Sequence, residues 1–243
     1  MEKNTAIAIS DLKFFWKGTS AATIEIKELS IQKAEKIFIR GPSGSGKTTF
    51  LGLIGGVLTP QNGRILVEQQ ELTQLRPAQR DQWRADHIGF IFQMFNLLPY
   101  LNLYDNVMLP SLFSKLRKQR AIERSGSVIK EVERLLIALK LDPALRHRSV
   151  AQLSVGQQQR VAVARALFGS PELIIADEPT SALDTEHRED FLQLLFAEAK
   201  QSKATLIYVS HDPQISHLFD RELNLLKLNS GLKNNINPHS KLN

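Results

Sequence analysis

The sequence contains no cysteine, which excludes disulfide staples, thiol nucleophiles and thiolate metal sites. No apolar run approaches the roughly 18 residues that a bilayer span requires. The first residues, Met1-Glu2-Lys3-Asn4-Thr5, lack the basic start and apolar centre of a secretory leader. A cytosolic location is therefore expected. No internal repeat is present, so solenoids and propellers are excluded as well. Against these absences the bulk composition is that of a globular protein: 243 residues, 42% hydrophobic and 23% charged, enough for one large domain or two lobes sharing a core. The net charge of +6 could signal nucleic acid or an anionic membrane face. However, the basic residues between Lys115 and Arg148 are interleaved with Glu123, Glu131 and Glu133, the pattern of a solvated helix face.

One stretch organises the rest. Gly41-Pro42-Ser43-Gly44-Ser45-Gly46-Lys47-Thr48-Thr49 fits G-x-x-x-x-G-K-[ST]. It follows a β-branched run, Lys36-Ile37-Phe38-Ile39-Arg40, and precedes Phe50-Leu51-Gly52-Leu53-Ile54, so it joins a predicted strand to a predicted helix. Glycines let the backbone turn its N–H groups toward a polyphosphate, and the helix start adds partial positive charge. In this chemistry Lys47 reaches the β- and γ-phosphates and the Thr48 hydroxyl binds Mg²⁺. A second phosphate loop and the Asn-Lys-x-Asp guanine motif are both lacking, which argues against a GTPase.

Strands are predicted over residues 5–9, 23–27, 36–40 and 64–67, with the aromatic cluster Phe14-Phe15-Trp16 between the first two. Ile88-Gly89-Phe90-Ile91-Phe92 reads as a buried strand ending at Gln93. From Asn102 the period becomes helical. Asn102 is placed to cap a helix running to about Lys118, and Ile122, Ile129, Val132, Leu136 and Leu139 mark a second one. A helix over 154–168, an apolar strand over 173–176, a helix over 186–200 and a strand over 205–209 complete a pattern that indicates a parallel sheet with helices packed on it. Residues 229–243, rich in Asn, Lys and Ser, are expected to fray.

A phosphate loop needs a carboxylate near the metal, and Leu173-Ile174-Ile175-Ala176-Asp177 ends in one. Glu178 follows and points the opposite way on an extended backbone, so it serves another purpose, polarising an attacking water. Pro179 is expected to hold Glu178 extended. Leu153-Ser154-Val155-Gly156-Gln157 admits two readings. Ser154 and Gln157 can form the S-x-x-Q capping box of the next helix. Alternatively, the helix start, with Gly156 allowing close approach, binds a phosphate oxygen. A serine acting as ligand is taken here to be unavailable as a full cap, and local physics alone favours the cap.

The loop at 41–49, Gln93, Leu153 to Gln157 with Gln158-Gln159-Arg160 after it, the 173–178 strand end, Ser181-Ala182-Leu183-Asp184 and His211 occur in the order of the ATP-binding-cassette (ABC) ATPases. The chain resembles that family over about residues 5–228. The resemblance implies an α/β fold: a P-loop NTPase core of the ABC type with an antiparallel β subdomain and a helical subdomain. Residues 1–228 then form a single cassette with a helical insertion at about 94–165, followed by a flexible tail. It further implies ATP and Mg²⁺ as cofactors, residues 41–49 as the Walker A loop, and Gln93 as the Q-loop glutamine that touches Mg²⁺ and senses a membrane partner. Ser154, Gly156 and Gln157 lie in the signature. Asp177 becomes a metal-binding residue and Glu178 the general base of Walker B. Asp184 falls in the D-loop, and His211 is the switch histidine on the γ-phosphate. The family places an adenine-stacking aromatic near Trp16, with Phe14 the next choice. Two cassettes pair head to tail, so that Ser154 and Gly156 close over the ATP held by the other copy.

Within the family, Ile88 to Gln93, Phe95-Asn96-Leu97-Leu98-Pro99 and Asp105-Asn106-Val107 are similar to the macrolide-export, lipoprotein-release and cell-division subgroup, whose ATPases power a separate permease. That implies a place on the inner face of the membrane, a contact surface from Gln93 to Tyr104 and the helices after it, and no nucleic-acid partner. An ATP-driven regulatory role at a membrane protein, and a soluble ABC ATPase acting on nucleic acid, are the alternatives. The sequence departs from the pattern at Val155, where the family usually has glycine, and at Trp83-Arg84-Ala85-Asp86-His87. A β-branched residue at 155 resists positive φ or close approach to a phosphate.

Overall fold

The computed structural model describes residues 4–180 and 185–233. In chain order the elements are β1 (Thr5–Phe14), β2 (Ile24–Gln32), β3 (Lys36–Arg40), α1 (Lys47–Ile54), β4 (Asn62–Val67), β5 (Gln70–Glu71), α2 (Pro77–His87), β6 (Ile88–Ile91), α3 (Leu103–Met108), α4 (Pro110–Phe113) and α5 (Lys115–Ser125). Then follow α6 (Val128–Ala138), α7 (Val155–Leu167), β7 (Leu173–Asp177), α8 (Thr185–Ser202), β8 (Thr205–Val209), β9 (Arg221–Asn224), α9 (Leu225–Leu228) and α10 (Ser230–Lys233). The chain divides within α2 and again within β8 into two compact units: residues up to 81 with those from 207 on, and residues 82–206.

In the first unit β1 pairs antiparallel with β2 on one side and β4 on the other, and β5 extends β4. Ile7 and Ile9 are buried, then Leu12 and Phe14, so the inward parity changes partway along β1. The cause is a bulge at Asp11, in the left-handed region at φ 49°, where the register with β4 shifts between Ser10 and Lys13. Gly63 makes room for it, because a Cβ there would lie 2.4 Å from the Asp11 carbonyl oxygen. The predicted strand stopped at residue 9 because strict alternation stops there, whereas the bulge carries the strand on to Phe14. The strand feeding the phosphate loop, β3, is buried at Ile37, Phe38 and Ile39 and pairs parallel with β9. Phe38, Tyr208 and Phe219 form an aromatic cluster beside it, with centroids 5.1–6.3 Å apart.

Residues 229–233, expected to belong to a frayed tail, are instead ordered against β2. Asn229 is fully buried. Its side-chain amide donates to the Thr23 carbonyl at 2.8 Å and accepts from the Glu25 N–H at 2.7 Å and the Gly231 N–H at 3.1 Å. One side chain thus plays the part of a neighbouring strand for the free edge of β2.

In the second unit β6 and β7 run parallel, with Ile88 beside Leu173 and Ile91 beside Ala176. The helix predicted from Asn102 to about Lys118 is three. Asn102 does cap the first, accepting from Asp105 N–H, but Pro110 starts a new turn and the Ser114 hydroxyl caps α5 by accepting from Arg117 N–H. The second predicted helix is likewise divided by left-handed Gly126 and by Ser127, which caps α6. The polar stretch before β6, where sequence periodicity marked no element, forms the exposed helix α2.

Buried charge holds this unit together. Arg117 donates to the carbonyls of Phe168 and Ala166, each at 2.7 Å, and to those of Arg165 and Ile88 at 3.3 Å. It closes the C-terminus of α7 and ties it to the start of β6. Burial pushes its pKa down to about 9. Burial would raise the Glu172 carboxyl, but hydrogen bonds and charge from His87 and Arg120 outweigh it and hold the group at about 2.

Asn229→Ala leaves the Thr23 and Glu25 backbone groups without their partner, and is expected to lower the unfolding free energy by about 2–3 kcal/mol in urea denaturation. An unchanged midpoint would show that residues 229–233 carry no stability.

Candidate functional site

The first unit presents the phosphate loop. Gly44 and Gly46 take left-handed φ of 78° and 86°, and Gly46 is the N-cap of α1 with no side-chain hydrogen bond to the helix. By contrast α3, α5, α6 and α7 are each closed by a side-chain oxygen. The leading N–H groups of α1 thus face the loop without a side-chain cap, the arrangement that receives an anion. A side chain at Gly46 would be strained by its φ of 86°, and a Cβ there would lie 2.8 Å from Ile24 Cδ1, which would have to shift. Lys47 curls over the loop, its Nζ donating to the carbonyls of Gly41 at 2.7 Å and Pro42 at 3.2 Å. Ser45 Oγ is buried without a hydrogen-bond partner among the described residues. Pro42, Ser43, Gly44 and Thr48 are exposed, and Thr49 is buried in the helix base. A curved loop of backbone donors with a cation at its mouth fits a polyphosphate.

Trp16 and His211 belong to the same unit. Trp16 is 47% exposed and stands edge-on to Phe14, with centroids 5.1 Å apart. Phe14 is buried in β1 and anchors the indole. The two candidates for the stacking ring therefore separate by exposure: Phe14 belongs to the core and Trp16 offers a face. His211 is exposed in the turn after β8, and Asp212 next to it caps a short 3-10 helix (Pro213–Leu218) that begins with a proline.

The second unit holds the remaining residues. Gln93 is exposed just beyond β6. Asp177 is the last residue of β7, and Glu178 follows it, half-buried. Glu178 is not extended as its proline neighbour led us to expect. Its φ is 45°, a left-handed conformation that costs a side-chain-bearing residue about 1–2 kcal/mol. The clash with proline Cδ disfavours the right-handed helical region and by itself favours extended backbone, so the left-handed value is set by other contacts. Strain of this kind persists only where the surroundings enforce it. The D-loop residues Ser181 to Asp184 lie outside the described residues.

At the start of α7 the capping box is complete: Ser154 Oγ accepts from Gln157 N–H at 3.3 Å, and Gln157 Oε1 accepts from Ser154 N–H at 3.0 Å. Capping and phosphate binding are nevertheless not exclusive. The cap uses a lone pair of the hydroxyl, whereas a phosphate oxygen takes its proton, and a serine has both. Val155 has helical backbone angles as the first residue of α7 and is 50% exposed, so no positive φ is asked of it. An added Cβ at Gly156 would meet nothing within 4 Å.

Sequence reasoning missed two side chains of α7. Arg165 donates to the carbonyls of Phe95 at 2.6 Å and Asn96 at 2.7 Å, pinning two consecutive left-handed residues just beyond Gln93. Gln159 is buried and donates to the carbonyl of Pro179 at 2.6 Å. The available signal was a polar residue at an inward position of an otherwise apolar helix.

A polyphosphate loop opening an uncapped helix, and in the same chain an apolar strand ending in aspartate, define a P-loop nucleoside triphosphatase. Comparison with known proteins makes the class specific. The family model described as ABC transporter matches residues 25–181. The macrolide export ATP-binding/permease protein MacB of Rhodopirellula baltica is 37% identical over 84% of this chain and 28% of its own length. The lipoprotein-releasing system ATP-binding protein LolD of Legionella pneumophila is 36% identical over 87% of this chain and 90% of its own. The chain thus spans under a third of the MacB relative and most of the LolD one. The ATP-binding cassette MJ0796, solved as a dimer in a post-hydrolysis state with ADP and Pi, is 34% identical and superposes with a TM-score of 0.78, covering 93% of this chain and 95% of that one. This chain belongs to the ABC transporter family, as an ATP-binding cassette that uses ATP with Mg²⁺.

Trp16→Ala is expected to weaken ATP binding by roughly tenfold, within the 1–3 kcal/mol of one base–aromatic stack, with Trp16→Phe restoring most of it. Titration with a fluorescent ATP analogue measures this, and unchanged affinity would remove Trp16 from the site.

Proposed function

We propose that this chain is the ATP-hydrolysing subunit of an ABC transporter of the export or lipoprotein-release kind, working as a head-to-tail pair on the inner face of the membrane beneath a separate permease. The observation that carries this reading is the start of α7. It is a helix N-terminus with a hydroxyl proton to give, an exposed Val155 and open space over Gly156. A second copy's nucleotide supplies the anion that such an end attracts.

Within the pair the residues divide the work. The loop at 41–49 wraps the phosphates, with Lys47 on the β- and γ-oxygens, and Trp16 stacks on the base. Thr48, Asp177 and Gln93 are the residues that would hold Mg²⁺. The metal, when bound, would supply charge stabilisation for the transferring phosphoryl group. Glu178 orients and deprotonates the attacking water, while His211 contacts the γ-phosphate. Ser154, Gly156 and Gln157 close over the neighbour's triphosphate, and Asp184 lies at the seam.

The permease contact is supported by exposed apolar side chains in the second unit. Met94 and Tyr100 follow Gln93, and Leu112 and Phe113 lie on α4. Large apolar groups left in water at this density mark a protein contact. No helix among the described residues is long and apolar enough to cross a membrane.

Glu178→Gln is expected to keep ATP binding and to lower turnover by roughly 10²–10⁴, the range for a lost general base. In cell fractions the chain should sediment with inner membranes and not be retained on nucleic acid. Turnover within a few-fold of the parent would remove Glu178 from its role, and retention on nucleic acid with no membrane association would favour the soluble alternative.

A further inference from the structure

The signature helix and the catalytic glutamate belong to the same chain but, on the reading above, serve different nucleotides. The start of α7 seats on the triphosphate held by the partner, while Glu178 acts on the triphosphate of its own chain. A side chain joining these two parts would make one site aware of the other. Gln159 is such a side chain. It lies five residues beyond Ser154, about 7.5 Å along a rigid helix, and its Nε2 donates to the Pro179 carbonyl at 2.6 Å. A carbonyl can only accept, so the nitrogen end of the amide must face it.

Three observations set this contact apart from ordinary core packing. Gln159 is 1% exposed, and its Oε1 has no hydrogen-bond partner among the described residues. A buried amide with one end unsatisfied is a poor way to stabilise a fold, and each such group calls for another explanation. Moreover, the accepting carbonyl belongs to the residue that follows Glu178, and the ring-fixed φ of Pro179 removes one of the two soft dihedrals between that carbonyl and the Glu178 backbone. Finally, Glu178 sits at a φ of 45°, which must be enforced by its neighbours. The one hydrogen bond this amide gives the turn, from Nε2 to the Pro179 carbonyl, therefore links that turn to α7.

We propose that Gln159 is a positioning residue that transmits the seating of α7 on the partner's nucleotide to the turn carrying Glu178. The inference rests on the head-to-tail reading. In the closed pair, engagement of Ser154 draws α7 to a fixed position and Gln159 sets the Glu178 carboxylate toward the attacking water. Before engagement the same tether holds the carboxylate in its left-handed, unproductive setting. Hydrolysis then waits for pairing.

A double-mutant cycle on kcat in the full chain tests this, using Ser154→Ala, Gln159→Met and the combination. Gln159→Met keeps the length and volume of the side chain while removing the donor. It is expected to lower kcat by about tenfold with ATP affinity within about threefold of the parent, a split that a general loss of structure does not produce. The key result is non-additivity: the loss caused by Ser154→Ala should shrink at least about fivefold once Gln159 is gone. Losses that multiply to within about twofold overturn the proposal, as does an unchanged kcat in Gln159→Met. If Ser154→Ala alone leaves kcat untouched, the head-to-tail reading fails and the proposal with it, an outcome distinct from additive losses. Gln159→Asn, which keeps the amide but withdraws it by one methylene, replaces Met if circular dichroism shows the Met variant unfolded, and the same non-additivity is required of it.

Discussion

A helix whose first N–H groups meet no side chain of its own must find a partner elsewhere, and the molecule is arranged around that requirement at the start of α1. Gly46 occupies the N-cap in a left-handed conformation and can offer no cap. The loop before it bends back on itself, and Lys47 bridges its carbonyls. Everything feeding this point is made rigid. The strand β3 is buried along Ile37, Phe38 and Ile39, flanked by a three-ring aromatic cluster and paired with β9. The energetic logic is that of a preformed anion site: the cost of aiming the donors is met in folding, so little reorganisation is left for binding.

The second unit is organised around another helix. Arg117 closes its far end against β6, Arg165 holds the backbone beyond Gln93, Gln159 reaches Pro179, and its near end carries Ser154. A single rigid element thus touches the surroundings of the three second-unit residues to which catalysis is assigned or linked. A helix so tied moves as a body, which is the property that transmission across a dimer requires. It also explains why Val155 is tolerated where the family resemblance led us to expect glycine. The position is the first turn of a helix with ordinary angles, and its side chain points into open space.

What the sequence disclosed was local chemistry. The phosphate loop, the capping box at Ser154 and Gln157, the cap at Asn102 and the apolar strand ending at Asp177 are all encoded within a few residues of themselves, and each is where the pattern put it. The helix breaks at Pro110, Ser114 and Gly126 were equally local and were outweighed by a longer apolar period running through them. The contacts that stayed hidden join residues remote in sequence, through one side chain and someone else's backbone. Asn229 completes the edge of β2 some 200 residues earlier, Arg117 closes a helix that ends 50 residues later, and Gln159 holds the turn after Glu178. No periodicity announces such pairs. The conformation of Glu178 was hidden for a different reason: the rule for residues before proline states which region is excluded more firmly than which of the others is taken.

The central claim is that the chain owns two incomplete halves of a nucleotide site, α1 with its loop and the start of α7, and that each is completed by another copy. The absence of native cysteine permits a direct measurement. One population carries Ser43→Cys and another Val155→Cys, both in a Glu178→Gln background, and the two are mixed and treated with a short thiol crosslinker. The account predicts a covalent dimer only when both populations and ATP with Mg²⁺ are present. Crosslinking between like positions, or a heterodimer that forms equally well without nucleotide, would contradict it.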